Sequence, residues 1–216
     1  MKIRKPNRQK GKFMNQKAIF SLSYGLFVAA SKAGTKMNGC IINTVTQITS
    51  NPLQVSMTVN KQNLTCDLIK ESGIVSVSIL SEKAPFSLFQ HFGFQSGRDT
   101  DKFVGIPFGM TKQELPYLKE NTTAYLDCRV VNSIDVGTHI MFIAEVVDAD
   151  VLSNDNPMTY AYYHANVKPK PEADANAPKK GWRCKICGYV YEGEELPADF
   201  VCPLCKHGAE DFEKIE

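Results

Sequence analysis

Short apolar runs rich in β-branched residues recur through the first three quarters of the chain. Each run is bounded by Gly, Pro, Asn or Asp, which is typical of strands in small sheets. A further apolar stretch over residues 19–30 is also expected to form a strand. The pattern predicts a mainly β domain with strands at Ile41–Thr49, Gln54–Val59, Ile74–Leu80, Thr123–Val131 and Thr138–Val147.

Two short helices fit between these strands. Thr65 is a suitable N-cap for a helix over Cys66–Glu71, and Gly73 follows where that helix would stop. A second helix begins at Pro85, which suits a first turn, and runs to Phe92. Many strands with two short helices predict a closed or split β-barrel of the Greek-key type. The chain has no Gly-x-Gly-x-x-Gly motif and no P-loop, so a Rossmann domain is not expected.

Composition describes a soluble globular protein of one ordinary domain plus a small one. The 216 residues are 43% apolar and 22% charged. The net charge of only +2 argues against a dedicated nucleic-acid binder, and no nucleic-acid partner is expected. Seven cysteines, an odd number, favour a reducing compartment over a disulfide framework.

The basic start of the chain raises the question of export, because it precedes the apolar run 18–30. That run has 13 residues, which is too short to span a membrane but long enough for the core of a signal peptide. The run is also typical of a strand, and thiols that bind metal favour a reducing interior. We therefore expect residues 1–15 to be a basic tail on a cytoplasmic protein with no membrane partner.

Two Cys-x-x-Cys hooks near the end of the chain are separated by fourteen residues. They supply four thiolates from Cys184, Cys187, Cys202 and Cys205, a set that suits tetrahedral zinc or iron. The spacing does not choose the metal, and two disulfides are a further alternative. The remaining three cysteines have no shared motif and are expected to be packed thiols: Cys40, Cys66 and Cys128.

A polar cluster lies between the predicted strands of the larger domain. Hydroxyls and amides over Asn43–Thr49 can form a shelf of donors after a local bend in the strand. Asn60, Lys61 and Asn63 come just before the helix predicted after Thr65, and a helix N-terminus with a nearby lysine favours anions. Shelf and anion site together would suit a flat polar ring carrying a phosphate, although such residues are more often structural.

The segment around the hooks resembles rubredoxin, a one-iron electron carrier with four cysteine ligands. The resemblance rests on "WRCKICGYVYEG", "PADFVCPLC" and the closing "FE", with five aromatic residues around the hooks. The stretch between the hooks is shorter than in free-standing rubredoxins and is more similar to the rubredoxin-like tail of rubrerythrins. The resemblance implies one iron atom, with a zinc ribbon as the alternative.

The larger domain resembles the flavin reductase-like, FMN-binding split-barrel family from about Gln16 to Tyr163. The motifs that carry this resemblance are "YGLFVAASKAGTKMNGCIINTVTQITSNP", "VNKQNLTCDLIKESG", "HFGFQSGRDTDKF" and "VGTHIMFIAEVVDADVL". It implies homodimers that reduce FMN with NADH or NADPH. It also implies that the flavin lies against Asn43, Thr44, Val45, Thr46, Gln47 and Thr49, with its phosphate held around Asn60, Lys61, Asn63 and Thr65.

The same resemblance gives a role to His139, which follows Gly137 and Thr138 at the head of an apolar run. A lone histidine there is more often a satisfied turn residue, but the family match puts it beside the flavin and the nicotinamide as the candidate catalytic residue. Arg98, on a loop with Phe92 and Phe94, is a candidate to receive a nucleotide phosphate. The alternative for these three is packing plus a solvated charge.

The four parts predicted are a tail (1–15), a split barrel (16–166), a linker (167–181) and a rubredoxin-like domain (182–216). Extended at roughly 3 Å per residue, the Pro-rich linker could reach about 40 Å. The whole resembles the high-molecular-weight rubredoxins, which implies electron flow from NAD(P)H through FMN and iron to an outside acceptor, a flavodiiron protein in that family. Two alternatives remain: a flavin reductase that supplies reduced FMN to a partner enzyme, and a non-enzymatic zinc-ribbon module on a split barrel.

Overall fold

The protein is described from a computed structural model covering residue 18 and residues 21–169, 181–185, 189–202 and 208–215. Its strands are β1 (Phe27–Ala33), β2 (Lys36–Ile42), β3 (Thr46–Ser50), β4 (Leu53–Asn60), β5 (Ile74–Leu80), β6 (Phe108–Met110), β7 (Pro116–Leu118), β8 (Thr122–Asp135), β9 (His139–Val151), β10 (Gly181–Cys184), β11 (Val190–Tyr191) and β12 (Phe212–Ile215). Its α-helices are α1 (Leu64–Ser72), α2 (Phe86–Phe89) and α3 (Tyr160–Tyr162). Two π-helical turns follow α2 and α3, and a 3₁₀ turn precedes β12: Gln90–Phe94, Tyr163–Val167 and Ala209–Asp211.

Seven antiparallel strands form the main sheet in the order β2-β1-β5-β8-β9-β4-β3. The long strands β8 and β9 lie at the centre of this sheet, and their pairing has two irregularities in its register. Cys40 on β2 and Met57 on β4 come from opposite sides of the strand order, yet they belong to one core. The sheet therefore curls around that core, and the predicted barrel-like, mainly β fold is confirmed.

Strand β1 is buried on both faces and separates two hydrophobic cores. Phe27 and Ala29 face the core inside the curled sheet, whereas Val28 and Ala30 face a second core. This division follows from the alternation of side chains along a strand. The second core includes aromatic side chains from α2 and from the chain after it, among them Phe89, Phe92 and Phe103, and burying each contributes about 1.5–3 kcal/mol. It anchors the segment that carries the loop at residues 93–98 to the sheet.

Helix α1 differs from its prediction at its start. The helix begins at Leu64, and Asn63 is its N-cap residue, with no hydrogen bond from the Asn63 side chain to the helix. Thr65 is therefore not the cap but a helical residue, fully buried, whose hydroxyl donates to Asn38 Oδ1 at 3.0 Å. The predicted stop is correct, because Gly73 adopts the left-handed conformation at φ 72° and its N–H bonds to Ile69 O.

Other predicted elements have different bounds as well, and β8 and β9 extend past their predicted ends to Asp135 and Val151. The run 41–49 is not one strand, because the chain leaves β2 after Ile42 and resumes at Thr46. Of the described residues in 19–30, only those from Phe27 onward form a strand. The second helix is a single turn, α2, that continues as a π-helical turn through Gly93 instead of ending there. None of the helices in the described ranges is long and apolar enough to span a membrane.

A small three-stranded sheet, ordered β11-β10-β12, forms the described part of the C-terminal segment. Its core holds Cys184, Cys202 and Phe212, with further aromatic side chains packed against them. A backbone bond connects the first hook to this sheet, because Cys184 N–H donates to Tyr189 O at 2.8 Å. Most of the linker lies outside the described residues.

Candidate functional site

A polar cavity of about 740 Å³ opens where β2, the start of α1 and the loop after α2 meet. Its volume is in the range of small-molecule and cofactor sites. The loop at residues 93–98 forms one wall, and Thr138 and His139 close another side from the turn between β8 and β9. Of the predicted site residues, four line this cavity: Asn60, Asn63, Arg98 and His139.

The floor of the cavity is a buried polar layer between β2 and α1. Asn38, 2% exposed, accepts a hydrogen bond from Thr65. Cys40 lies two residues along the same strand and is 3% exposed. Burial raises the pKa of the Cys40 thiol, an effect that the neighbouring side chains of Thr65 and Asn63 and the charge of Lys102 oppose. The layer therefore extends from the first turn of α1 to the neighbourhood of Lys102.

Lys102 is the buried cation of the site. It is 2% exposed, and its ammonium donates to Gly39 O at 3.1 Å and to Phe92 O at 2.9 Å. Burial lowers the pKa of Lys102, and the neighbouring Cys40 opposes that shift. Among the described residues no carboxylate lies within ion-pair distance of it. The protein thus holds a positive charge at the cavity without a negative side chain to balance it.

Arg98 contributes a second positive group, on the outer part of the cavity. Its guanidinium bonds to the Asp67 carboxylate at 2.6 Å, and both side chains are about half exposed. The loop before it packs closely on the floor, because a Cβ on Gly97 would collide with the Asn38 side chain. Only glycine therefore allows this loop to approach β2, which brings Arg98 and Lys102 to the same cavity.

His139 lies at the start of β9, directly opposite Asn60 at the end of β4. Its Nδ1 is 2.8 Å from the Thr138 hydroxyl. The tautomer decides which atom donates, but in either case the hydroxyl fixes the ring orientation. The predicted placement of His139 beside a ligand cavity is thus compatible with the structure, although its role stays a prediction.

The shelf over residues 43–49 does not line the cavity. The bend predicted there is present, and Thr44 stabilises it: its hydroxyl donates to Thr58 O and accepts from Thr58 N–H, at 2.9 and 3.1 Å. Thr46 and Gln47 are exposed, whereas Asn43, Val45 and Thr49 are half-buried. The structure therefore gives Thr44 a structural role. The role of the other shelf residues in binding a flavin stays a prediction.

Lys61, the lysine predicted to bind a phosphate, does not line the cavity. Its ammonium bonds to both Asp135 carboxylate oxygens, at 2.6 and 2.7 Å. The Lys61 bond, together with a bond from Gly137 N–H, lowers the pKa of the Asp135 carboxyl. The lysine that lines the cavity is instead Lys102, which the sequence analysis missed. In the sequence it stands between Asp101 and Phe103 and has the pattern of a solvated charge; only the fold buries it.

The candidate metal centre is described in part. Cys184 and Cys202 are 1% and 0% exposed and share one small core with aromatic side chains. Two buried sulfur donors brought together from separate hooks fit a thiolate-bound metal. Cys187 and Cys205 lie outside the described residues. Cys40, Cys66 and Cys128 are buried free thiols, as predicted, and burial raises the pKa of Cys66 to about 11 and that of Cys128 to about 12.

Comparison with known proteins decides the family. A family model described as "Flavin reductase like domain" matches residues 19–170, and one described as "Rubrerythrin, rubredoxin-like domain" matches residues 182–213. The chain belongs to the flavin reductase-like family. It combines that domain with a rubredoxin-like one, as predicted, and it is an oxidoreductase.

Relatives of this flavin reductase-like protein cover most of the chain. The "High molecular weight rubredoxin" of Moorella thermoacetica is 40% identical, over 94% of this chain and 100% of that protein. The "Ferric-chelate reductase (NAD(P)H)" of Archaeoglobus fulgidus is 38% identical, over 73% of this chain and 93% of that one. The fold is shared with the NADH:FAD oxidoreductase of Streptomyces globisporus C-1027, with a TM-score of 0.61 and 20% identity over 73% of this chain and 92% of that one.

Proposed function

We propose that the protein oxidises NADH or NADPH at an FMN bound in the cavity and passes the electrons, one at a time, to iron held by the four cysteines. The observation that carries this proposal is the polar cavity with its uncompensated buried ammonium, in a flavin reductase-like fold. An anionic cofactor fits such a site, because its charge would balance Lys102. FMN supplies the conversion between two-electron hydride transfer and single-electron transfer.

The chain's own residues would bind and orient the reactants. We assign the positioning of the nicotinamide or the flavin ring to His139, held in place by Thr138. The ring would extend from the cavity toward Asn43–Thr49, whose backbone is fixed by the bonds of Thr44 to Thr58. Arg98, on the outer wall, is available to a phosphate of the nucleotide if it exchanges Asp67 for that phosphate.

The cysteine segment would act only after the flavin step. We assign the metal to Cys184, Cys187, Cys202 and Cys205, which would bind one iron. A site closed by four thiolates has no open position for a hydride donor, and the packed aromatic side chains exclude water. Its one-electron redox centre would therefore receive electrons from the flavin and not from the nicotinamide.

The position of the C-terminal segment supports a short path for electrons from the cavity to the cysteines. Gly208, Glu210 and Asp211 also border the cavity. Asp211 O accepts from Lys185 N–H at 2.8 Å, and Gly208 pairs with Val201, so this border is bonded to the neighbours of Cys184 and Cys202. The linker, predicted over residues 167–181, would allow the rubredoxin-like domain (182–216) to approach and leave the barrel (16–166).

We further propose a homodimer. Several large apolar side chains are 42–50% exposed on β3, on β4 and on the far end of β8 and the turn after it: Ile48, Leu53, Val131, Ile134 and Val136. Exposed apolar surface of this kind favours association. The outside acceptor is proposed to be a redox protein of the flavodiiron type in the cytoplasm.

The proposal is tested by the visible spectrum of the purified protein before and after anaerobic addition of NADH. We expect flavin and ferric-thiolate bands together, both bleaching on reduction. A protein that loses FMN on gel filtration and carries zinc would instead be a flavin reductase that supplies reduced FMN to a partner. A protein with neither flavin nor iron after reconstitution would overturn the proposal.

A further inference from the structure

We infer that the mouth of the cavity is a docking surface for which the cysteine segment (residues 182–216) competes with the nicotinamide dinucleotide. The inference rests on the proposed function, since it assumes that the dinucleotide reacts at a flavin in this cavity. In the structure the turn over residues 208–211 occupies the mouth. The dinucleotide then reaches the flavin only after the cysteine segment has moved away from the barrel.

The first observation is that both parts of the chain form the walls of one cavity. Glu210 and Asp211 border the same space as Arg98 and His139. Arg98 and His139 are the residues proposed above to meet the nucleotide phosphate and the nicotinamide. The turn therefore lies where the dinucleotide has to enter, and not on a separate face of the barrel.

The second observation is the space available. A cavity of about 740 Å³ is in the range that holds one ligand of cofactor size. Hydride transfer requires reacting atoms about 3–3.5 Å apart, so the nicotinamide must enter the same cavity as the flavin. FMN takes up much of such a space, and a dinucleotide is larger than FMN. With the turn in place, the cavity therefore lacks room for both.

The third observation is the charge at the mouth. The Glu210 carboxylate lies beside Gly208, because a Cβ built on that glycine would collide with it, and Asp211 follows directly. The pyrophosphate of a dinucleotide is also anionic, and like charges in one site repel. The positive groups of the cavity, Arg98 and Lys102, can attract the acidic turn or the pyrophosphate, but not both at one position.

The fourth observation is that the turn is bonded to the cysteine segment and not to the barrel. Lys185 donates from its backbone N–H to Asp211 O at 2.8 Å and from its ammonium to Glu210 O at 3.0 Å. Gly208 pairs with Val201. Among the described residues, all six ion pairs join two barrel residues, and no backbone hydrogen bond connects the turn to the barrel. The turn can therefore leave the mouth together with the cysteine segment.

This exclusion gives the reaction an order. The hydride, with its two electrons, passes to the flavin while the cysteine segment is away, and the oxidised dinucleotide leaves. The cysteine segment then docks and receives one electron at its iron. It receives the second after an outside one-electron acceptor has taken the first, and the proton that came with the hydride is released to solvent.

The position of the segment is measured with Trp182, the single tryptophan of the chain, which lies on β10 with Cys184. Its emission overlaps the flavin absorption, so a nearby flavin quenches it. The full chain is loaded with FMN and with zinc, which does not quench, and is titrated with NAD⁺ and with NADP⁺. We expect the emission to rise as a dinucleotide binds, while gel filtration shows that FMN stays bound. Unchanged or lower emission on binding would contradict the inference.

Two matched double variants test the charge at the mouth. Glu210→Gln with Asp211→Asn removes two negative charges from the border, whereas Glu195→Gln with Asp199→Asn removes two from exposed positions of the same segment that do not border the cavity. If the docked state holds about 70–90% of the molecules, freeing the mouth should lower the apparent dissociation constant of the dinucleotide about 3- to 10-fold. The control pair should leave it unchanged.

The outcomes separate the inference from the proposed function. A protein that binds neither FMN nor a dinucleotide would contradict the proposed function itself. If both bind, and both double variants alter the dinucleotide affinity equally or not at all, the competition at the mouth is overturned while the proposed function stands.

Discussion

The cavity and the cysteine segment differ in how they are built and in what they admit. The cavity joins β2, the start of α1, the loop after α2 and the turn before β9, which are distant in sequence. The cysteines proposed to bind the metal belong to one short segment, and the two that are described are buried in a core with aromatic side chains. A large polar opening suits a cofactor and a bulky hydride donor, whereas a closed core suits single electrons alone.

The two regions also differ in the charges that they carry. The cavity holds the buried charge of Lys102 and the exposed one of Arg98, and its border on the C-terminal side carries Glu210 and Asp211. Residues 182–216 contain four basic and eight acidic residues. An acidic segment is attracted to the buried ammonium of Lys102, which would favour the approach of the proposed iron site to the cavity.

The largest effect is expected from Cys202→Ser, which should affect the cysteine segment and not the cavity. One thiolate of four is lost from a site that needs all of them, so iron per chain should fall close to zero while flavin content is kept. Metal analysis with the flavin absorbance checks this. Cys66→Ala, at a buried thiol of the barrel, is the control and should retain full iron. Full iron in the Cys202 variant would show that the metal lies elsewhere.

A smaller effect is expected from His139→Ala. Loss of a positioning side chain should slow flavin reduction by NADH about 10- to 100-fold, since misplaced reactants lose rate steeply. Iron content and its reduction by dithionite should be unchanged. The rate is measured under anaerobic single-turnover conditions. His164→Ala, which removes an exposed histidine beside Tyr160, should leave the rate unaltered; equal slowing in both variants would argue against a role for His139.

Gly97→Ala tests the close approach of the loop to β2. The added methyl collides with Asn38, and such overpacking costs about 1–3 kcal/mol. We expect a lower melting temperature and weaker FMN binding, because the loop must move away from the floor. At Gly93, by contrast, a Cβ would make ordinary contact with Ile41 at 3.4 Å, so Gly93→Ala should be milder in both measurements. The reverse order would contradict the described packing.

The smallest effect is expected from Lys61→Met. Its ion pair with Asp135 is exposed on both sides, and pairs of this kind contribute about 0–1 kcal/mol. Chemical denaturation should therefore show little change, and FMN affinity should stay within twofold. A large loss of FMN affinity would instead show that Lys61 leaves Asp135 and binds the cofactor.

Features set by residues close together in the sequence could be predicted, whereas features that depend on distant contacts could not. The cysteine hooks are local, so their spacing alone indicates a metal. Strand β5 was predicted with its true ends, because β-branched residues fill it and Gly73 precedes it. The start of α1 was placed two residues late, since Asn63 and Thr65 are both acceptable caps by type. The burial of Lys102 could not be predicted, because it depends on β2 and the π-helical turn meeting in the fold.

The central claim is the order of electron flow, which stopped-flow absorbance of the whole protein tests most directly. NADH is mixed anaerobically with the oxidised protein, and the flavin and ferric-thiolate bands are followed separately. We expect the flavin band to bleach first and the iron band to follow, and in Cys202→Ser only the flavin band to change. Iron that bleaches before the flavin, or without it, would contradict this account.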